Sequence, residues 1–327
     1  MTLSAKQTAL HDGEPSIAEL GGDSLQVKIK RGFLATRPKF LTASILPVIL
    51  GTGWGFRNSG QLDWMVFLLA VLATAFVHAA SNVWNDVGDE INGSDAINDG
   101  RIHPYTGGSR FIQNGILGKD EMLRLSVVLA SAAIGLGAIL IWLKGPVVLG
   151  FGAIGLALGY LYSSPAVRLS GRGVGEASVG IAFGVLPVCG AAWMQGAAID
   201  WATALFAIPA SCWVACILLM NEVPDVAADE ATGKRTLVVR LGTAGTAATY
   251  FILQLTALIA VLLLVVEGRL PFLVLTLTVA LAVAGWVASR EIILNDRSSL
   301  KKGIEITLAI HAVGCLWLAA WAWFRVS

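Results

Sequence analysis

Charged residues are scarce in this chain of 327 residues, and that scarcity already limits its class. Asp, Glu, Lys and Arg make up 14% of the sequence, whereas soluble globular domains carry about 25%. The net charge of +1 gives no reason to expect nucleic acid as a partner. The polar residues 1–33 lack the apolar core and small-residue cleavage site of a signal peptide, so we interpret them as a polar tail.

Cysteine is also rare, and its spacing excludes the common metal and redox motifs. The four cysteines lie within apolar runs and form no CxxC pair: Cys189, Cys212, Cys216 and Cys315. Buried free cysteines usually act as small hydrophobic side chains, and we interpret these four in that way.

Long apolar runs are what the chain does contain. Hydrophobic residues make up 56% of it, in continuous runs of the length that crosses a bilayer. The runs do not alternate in polarity, which argues against a membrane β-barrel. We predict an all-α membrane protein in which residues 34–327 form nine transmembrane helices. The predicted spans lie near 40–56, 64–84, 123–143, 146–163, 174–194, 203–222, 246–266, 270–289 and 303–324.

The distribution of basic residues predicts the orientation. With the N-terminus in the cytoplasm, all but four of the 23 Lys and Arg residues fall on the cytoplasmic side. The exceptions are Arg57, Lys144, Arg269 and Arg325. This asymmetry follows the positive-inside rule and favours an odd number of spans. The tail and the polar loops 85–122 and 223–245 are therefore predicted to be cytoplasmic, and the C-terminus outside.

Both polar loops begin with an acidic stretch, "NVWNDVGDEINGSD" and "NEVPDVAADE". Each stretch places an Asn and two Asp on one predicted helix face: Asn82, Asp86 and Asp89 in the first, and Asn221, Asp225 and Asp229 in the second. Carboxylates at a membrane boundary are costly unless they are paired or bind cations. Two such sets on one side predict a site for Mg²⁺, which prefers oxygen ligands and is often shared with phosphates.

Basic residues follow each acidic set, as a site for a metal-bound diphosphate requires. The candidates are Arg101, Arg110, Lys119, Lys234 and Arg235. The alternative is that these Asp and Asn residues only form turns and helix caps, and for any single residue both interpretations stay open. We interpret Glu90 and Asp99 as loop charges. The "TGGS" run at 106–109 is a candidate phosphate loop or a flexible turn, and Pro224 is expected to break the sixth span before Asp225.

These motifs resemble the UbiA-type intramembrane prenyltransferases, whose two aspartate-rich motifs have the forms NDxxDxxxD and DxxxD. Here they read "NDVGDEINGSD" and "DVAAD", and the third Asp of the first motif is replaced by Gly93, with Asp95 two residues later. The stretches "GGSRFIQNGIL", "YSSPAVRLSGRGVGE" and "GKRTLVVRLG" look most like the 1,4-dihydroxy-2-naphthoate prenyltransferases of menaquinone synthesis. The similarity runs from about residue 33 to the C-terminus.

The resemblance implies a nine-helix bundle around a central cavity capped by the polar loops, in a bacterial inner membrane. It implies Mg²⁺-dependent transfer of a polyprenyl chain from its diphosphate to an aromatic acceptor, most like 1,4-dihydroxy-2-naphthoate. Asp86, Asp89, Asp225 and Asp229 would be the catalytic metal ligands, with Asp95 a further candidate. The candidates for diphosphate binding are Asn82, Asn85, Arg110, Lys119, Asn221, Lys234 and Arg235. Tyr160, Tyr162 and Arg168 are acceptor-binding candidates, although interfacial tyrosines and loop arginines need no such role.

Two further functions fit parts of the sequence. A related enzyme would prenylate another acceptor, such as 4-hydroxybenzoate or homogentisate. A transporter of organic anions would use the aspartates as cation relays. Transporters place ionisable groups near the membrane midplane, whereas these lie at predicted span ends, which favours the enzyme.

Overall fold

Helices form all the regular structure that the computed structural model describes, which covers residues 13–324. Residues 1–12 of the predicted tail and Arg325 lie outside that range. The helices are α1 (Ile17–Leu20), α2 (Leu25–Ala35), α3 (Thr42–Ser59), α4 (Trp64–Asn92), α5 (Lys119–Lys144), α6 (Val147–Ser163), α7 (Gly175–Val179), α8 (Leu186–Met194), α9 (Trp201–Glu222), α10 (Val226–Ala231), α11 (Leu237–Val266), α12 (Val274–Leu294) and α13 (Arg297–Trp323). A π-helical turn, Gly180–Val185, joins α7 to α8.

Eight helical segments in the described range are long and apolar enough to cross a membrane, and they match eight of the predicted spans. The remaining predicted span, 146–163, forms α6, which has only 17 residues. At about 1.5 Å per residue it is roughly 25 Å long, a little less than the bilayer core of about 30 Å. The helical membrane class is confirmed, while the count of nine spans stays a prediction.

The first acidic stretch is helical because α4 continues well beyond its apolar run. The carboxylate of Asp63 caps the helix by accepting a hydrogen bond from the Val66 N–H, at 3.1 Å. The helix ends at Gly93, which has a φ of 81° and donates its N–H to the Asp89 carbonyl oxygen. Glycine is the residue that most easily adopts this left-handed conformation. The chain turns back there, so Asp95 lies in a short 3₁₀ turn beside the end of α4.

The second acidic stretch does not lie on one helix, contrary to the predicted stripe. Helix α9 ends at Glu222, and Asp225 precedes the separate short helix α10, which carries Asp229. Pro224 lies in the gap, as predicted, since proline lacks the N–H that would continue the helix. The i, i+4, i+8 spacing therefore did not identify what brings Asn221, Asp225 and Asp229 together.

Small residues allow the central helices to approach closely. A β-carbon on Gly184, in the π-helical turn, would lie 2.3 Å from the Ser211 Cα of α9. In the neighbouring core the Trp54 ring stacks on Phe206 at 4.2 Å between centroids, and its indole N–H donates to Thr203 Oγ1. The contact at Gly184 is typical of membrane helices, and it joins the π-helical turn to α9, both of which line the cavity described below.

The described part of the predicted tail packs on the loop between α4 and α5. Arg101 in that loop is fully buried and donates from Nε to Glu14 Oε1 at 2.6 Å. Arg297, at the start of α13, donates to the Arg101 carbonyl oxygen at 3.0 Å. Arg101 thus ties three segments together rather than reaching a ligand. The predicted domain boundary at residue 33 falls inside α2.

Candidate active site

A cavity with about 1330 Å³ of empty space, including its open mouth, lies between α4, α6, α7, the π-helical turn and α9. Its polar end lies at the loops, where it is lined by Arg37, Asn82, Asn85, Asp89, Asp95, Asn221, Glu222, Asp225, Asp229 and Lys234. Further along the same helices the lining becomes apolar, with Val77, Leu158, Ala182, Phe183, Val214 and Leu218. The cavity therefore suits a molecule with a charged head and an apolar tail.

The first acidic set divides between the cavity wall and a layer behind it. Asp89 and Asp95 line the cavity, whereas Asp86 is buried outside the lining. Asn85 donates to Asp89 Oδ2 at 3.1 Å and to Ser163 Oγ at 3.0 Å. Asp95 Oδ2 is buried, and among residues 13–324 it has no hydrogen-bond partner. The family spacing favoured Asp86 over Asp95, and the structure places Asp95 nearer the cavity.

The TGGS loop connects the two acidic sets. The Gly107 N–H donates to Asp225 Oδ2 at 3.2 Å, and the Ser109 N–H donates to Asp86, at 3.2 Å to Oδ2 and 3.3 Å to Oδ1. Gly107 and Gly108 both have a φ of 73°, which glycine adopts without strain. The N–H groups of Gly107 and Ser109, which the sequence offered to phosphate, are used here to orient carboxylates.

Burial makes the second acidic set unusually basic. It raises the pKa of Asp229 to about 7, although Lys234 works in the opposite direction. Burial also raises the pKa of Asp225, partly offset by the Asn98 amide, which donates to Asp225 Oδ1 at 2.7 Å. The pKa of Asp95 is well above its ordinary value, because of burial first and then the charges of Asp89 and Asp86. Bringing a cation to these carboxyls would favour their ionised form.

Lys234 connects the two sets electrostatically. Its Nζ lies 3.3 Å from Asp89 Oδ1 and 3.4 Å from Asp229 Oδ1. Burial opposes the charge of this amine, but the nearby acidic groups, with Asp89 and Asp229 foremost, together outweigh that effect and hold its pKa well above the ordinary value. Of the cations predicted to bind diphosphate, Lys234 is the one that the structure places in the cavity lining.

The other predicted cations lie away from the cavity. Lys119 is exposed at the start of α5, and Arg235 is exposed with its backbone N–H bonded to the Gly171 carbonyl oxygen. Arg110 is buried behind Asp95 and donates to the Asp95 carbonyl oxygen at 2.5 Å. Their shared loop position was a poor guide, because a loop side chain can point to either side of its backbone.

Arg37 is a cavity cation that the sequence reasoning missed. It lines the polar end, donates from Nη2 to the Tyr105 carbonyl oxygen at 3.2 Å, and stacks its guanidinium over Phe40 at 4.8 Å. It precedes Pro38, outside both acidic stretches, so only its place among the tail cations could have suggested it. Asn98 and Glu222 were also missed, because neither occupies a position of the aspartate motifs, although Glu222 lies within the second acidic stretch.

The acceptor-binding candidates separate in the same way. Tyr162 lines the cavity, whereas Tyr160 is 57% exposed and stacks on Trp84 outside it. Arg168 also lies outside the lining and donates to Asn92 Oδ1. Tyr160 and Tyr162 are two residues apart on α6, so they point to different sides of the helix. We therefore retain Tyr162 alone of these three as a cavity residue.

The donor set fits hard divalent cations. Five carboxyl groups and two cationic side chains line the cavity within the described range, and the oxygen Asp95 Oδ2 is buried without a partner there. Such an excess of carboxylates is the chemistry that Mg²⁺ prefers. No three His, Cys, Asp or Glu side chains in residues 13–324 form a single ready-made cluster. The carboxylates belong instead to two sets, one at the end of α4 and the following turn and one around α10.

Fold and cavity together define a helical integral membrane protein whose cavity is lined by charged side chains at one end and by apolar side chains at the other. Residues 44–308 match the profile of the UbiA prenyltransferase family. The chain is 31% identical over 258 residues to the 1,4-dihydroxy-2-naphthoate octaprenyltransferase of Mycobacterium tuberculosis, covering 77% of this chain and 84% of that one. It is 27% identical over 209 residues to the 2-carboxy-1,4-naphthoquinone phytyltransferase of Synechocystis, covering 64% of this chain and 65% of that one.

A solved structure shows the same fold. The UbiA homologue of Archaeoglobus fulgidus, bound to DMAPP and Mg²⁺, aligns with a TM-score of 0.64 at 19% identity, over 88% of this chain and 99% of that one. The chain belongs to the UbiA prenyltransferase family, and it is a membrane-embedded prenyltransferase. The resemblance stated from its aspartate motifs is confirmed.

Proposed function

We propose that this prenyltransferase transfers a polyprenyl chain, with Mg²⁺ as cofactor, from its diphosphate to 1,4-dihydroxy-2-naphthoate. The observation that carries the proposal is the polar end of the cavity. There, carboxylates from two separate stretches meet Arg37 and Lys234, directly above an apolar chamber. A polyprenyl diphosphate has the matching division between an anionic head and a hydrocarbon tail.

The residues that would hold Mg²⁺ are Asp89, Asp95, Asp225 and Asp229, because these carboxyls line the cavity. Asp86, the fourth ligand that the sequence predicted, would act from behind by orienting the TGGS loop. When bound, Mg²⁺ would supply positive charge that stabilises the leaving diphosphate.

The protein's own side chains perform the remaining tasks. Arg37 and Lys234 add fixed positive charge at the diphosphate, where charge grows as the carbon–oxygen bond breaks. The electron pair of that bond leaves with the diphosphate, and the ring carbon that carries the carboxylate bonds to the allylic carbon. Loss of the ring carboxylate as carbon dioxide then restores aromaticity. The apolar lining keeps water away from the positive charge that develops on the allylic carbon when the bond breaks.

The naphthoate acceptor is supported by the names of the relatives. Those of Mycobacterium tuberculosis and Synechocystis both refer to a naphthalene acceptor. The alternatives are 4-hydroxybenzoate and homogentisate, which carry smaller rings.

Purified protein should be incubated with polyprenyl diphosphate, Mg²⁺ and each of the three acceptors, and the products identified by mass spectrometry. We expect a prenylated, decarboxylated naphthalene product from 1,4-dihydroxy-2-naphthoate. A product from 4-hydroxybenzoate or homogentisate alone would contradict the naphthoate acceptor but would still support prenyl transfer to an aromatic ring. Diphosphate release with none of the three would contradict the proposed reaction.

We further propose that the N-terminus and the cavity mouth face the cytoplasm of a bacterial cell, with nine spans and the C-terminus outside. The distribution of Lys and Arg supports this orientation. A single cysteine in place of Lys119 or Asp120, which are exposed at the end of the loop between α4 and α5, should react with an impermeant thiol reagent only after the inner membrane is opened. Labelling of this cysteine in intact spheroplasts would show that the loop faces outward and would contradict the proposed orientation.

A further inference from the structure

One polar side chain in the apolar part of the cavity has no task in the proposed reaction. His78 lies on α4, four residues before Asn82, or about 6 Å further along the helix axis from the polar end. It is buried and lines the cavity beside Val77 and Phe183. A polar group costs free energy in such surroundings unless it has partners, and an ionisable residue inside a membrane protein usually marks a functional site.

The surroundings of His78 hold its ring in one orientation. Nδ1 lies 2.9 Å from Ser44 Oγ, on α3, and the ring packs against Phe183 with 4.4 Å between centroids. Ser44 Oγ also lies 3.1 Å from the Leu41 carbonyl oxygen, to which it can donate. Ser44 Oγ is therefore the hydrogen-bond partner of His78 Nδ1, whether the proton between them belongs to Oγ or to Nδ1.

The second ring nitrogen, Nε2, is left for a ligand. It has no hydrogen-bond partner among the residues that the structure describes, and it is not among their fully enclosed polar atoms. Since the ring lines the cavity, this nitrogen is the polar atom that it can offer there. A prenyl chain has no polar atom to meet it, whereas a hydroxylated aromatic acceptor has several oxygens.

We propose that His78 is an acceptor-binding residue, which hydrogen-bonds through Nε2 to an oxygen of the aromatic acceptor and orients its ring beside Phe183. The position below the diphosphate end is where the ring must lie to reach the allylic carbon. This inference rests on the proposed prenyl transfer to an aromatic acceptor. It assigns the acceptor to α4 and the π-helical turn, and not to the Arg168 loop.

Two substitutions separate this role from a structural one. Glutamine places its amide near the position of histidine Nε2, whereas asparagine places its amide near that of Nδ1. His78→Gln should therefore keep the contact with the acceptor and lose the one with Ser44. His78→Asn should do the reverse.

The measurement is steady-state turnover with whichever aromatic acceptor the wild-type protein uses. We expect His78→Asn to raise the KM for the acceptor about tenfold, the effect of one lost hydrogen bond. The KM for polyprenyl diphosphate should stay within about twofold, and His78→Gln should stay close to wild type for both. His311→Gln is the matched control, because His311 is equally buried, on α13, and lies outside the cavity lining.

The opposite ranking, with His78→Asn active and His78→Gln impaired, would show that the Ser44 contact is what matters and would overturn the proposal. Parallel changes in both KM values, or no change in either, would overturn it as well. A wild-type protein without turnover on any aromatic acceptor would instead contradict the proposed function.

Discussion

Gly108 offers the sharpest test of where the reaction takes place. A β-carbon at this residue would lie 2.5 Å from Asp95 Oδ2 and 3.0 Å from Asp86 Oδ1. The first distance is about 0.9 Å short of an ordinary van der Waals contact of 3.4 Å. The Asp95 carboxylate is a short side chain, and its Oδ2 has no hydrogen-bond partner among the described residues, so in Gly108→Ala it should be displaced by about that amount. A misplacement of about 1 Å in a catalytic site can cost a factor of about 100 in rate.

Gly93→Ala is the matched control for the backbone. Gly93 has a φ of 81°, close to the 73° of Gly108, but its β-carbon would meet no atom within 4 Å. Both variants should lose about 1–2 kcal/mol of stability, because L-residues are strained in this conformation. Only Gly108→Ala should also lose activity.

Turnover, the Mg²⁺ concentration for half-maximal activity, and thermal stability in detergent should be measured for both variants. We expect kcat of Gly108→Ala to fall about 100-fold, with a higher Mg²⁺ requirement, while Gly93→Ala keeps at least half of the wild-type kcat. Wild-type turnover and Mg²⁺ requirement in Gly108→Ala would refute the placement of Asp95 at the reacting diphosphate. Equal losses of activity in both variants would show that backbone strain, and not the carboxylate, is responsible.

Two other predictions concern charge. Arg37→Ala and Lys234→Ala should each raise the KM for polyprenyl diphosphate at least tenfold in steady-state kinetics, because both side chains line the cavity. Lys119→Ala and Arg235→Ala should leave this KM within about twofold, because their side chains lie outside the lining. The reverse pattern would contradict the placement of these cations. Excess EDTA should abolish turnover and added Mg²⁺ should restore it, because the carboxyl groups at the polar end outnumber the cationic side chains there. Activity that persists in the chelator would rule out the metal requirement.

The membrane class and most spans could be predicted because they depend only on local composition. A run of about 20 apolar residues must cross the bilayer or be buried, wherever its neighbours lie. Helix α6 was the difficult case, because its 17 residues are close to the shortest length that can span. The helical form of the first acidic stretch could also be predicted from spacing, since α4 continues unbroken from Trp64 to Asn92, but spacing did not show that Asp86 lies outside the cavity lining.

The second stripe shows why spacing fails when the chain breaks. Pro224 separates α9 from α10, so the positions of Asp225 and Asp229 depend on how the connecting turn packs. The i, i+4, i+8 pattern assumed one helix, whereas Asn221, Asp225 and Asp229 line the same cavity because of how that turn packs. Arg37 lies 45 residues before the first acidic stretch, which begins at Asn82, and no local rule connects it to Asp95.

By itself, the sequence determined a helical membrane protein with two acidic stretches, and their motifs identified a prenyltransferase, because hydrophobic run length and motif spacing are local properties. Only the tertiary structure decided which charges meet. Gly93 ends α4 and turns the chain, so Asp95 lines the cavity while Asp86 bonds to the TGGS loop. Lys234 reaches Asp89 across about 145 residues of chain, and Ser44 orients His78 from another helix. These contacts depend on helix packing, which residue spacing along the chain does not specify.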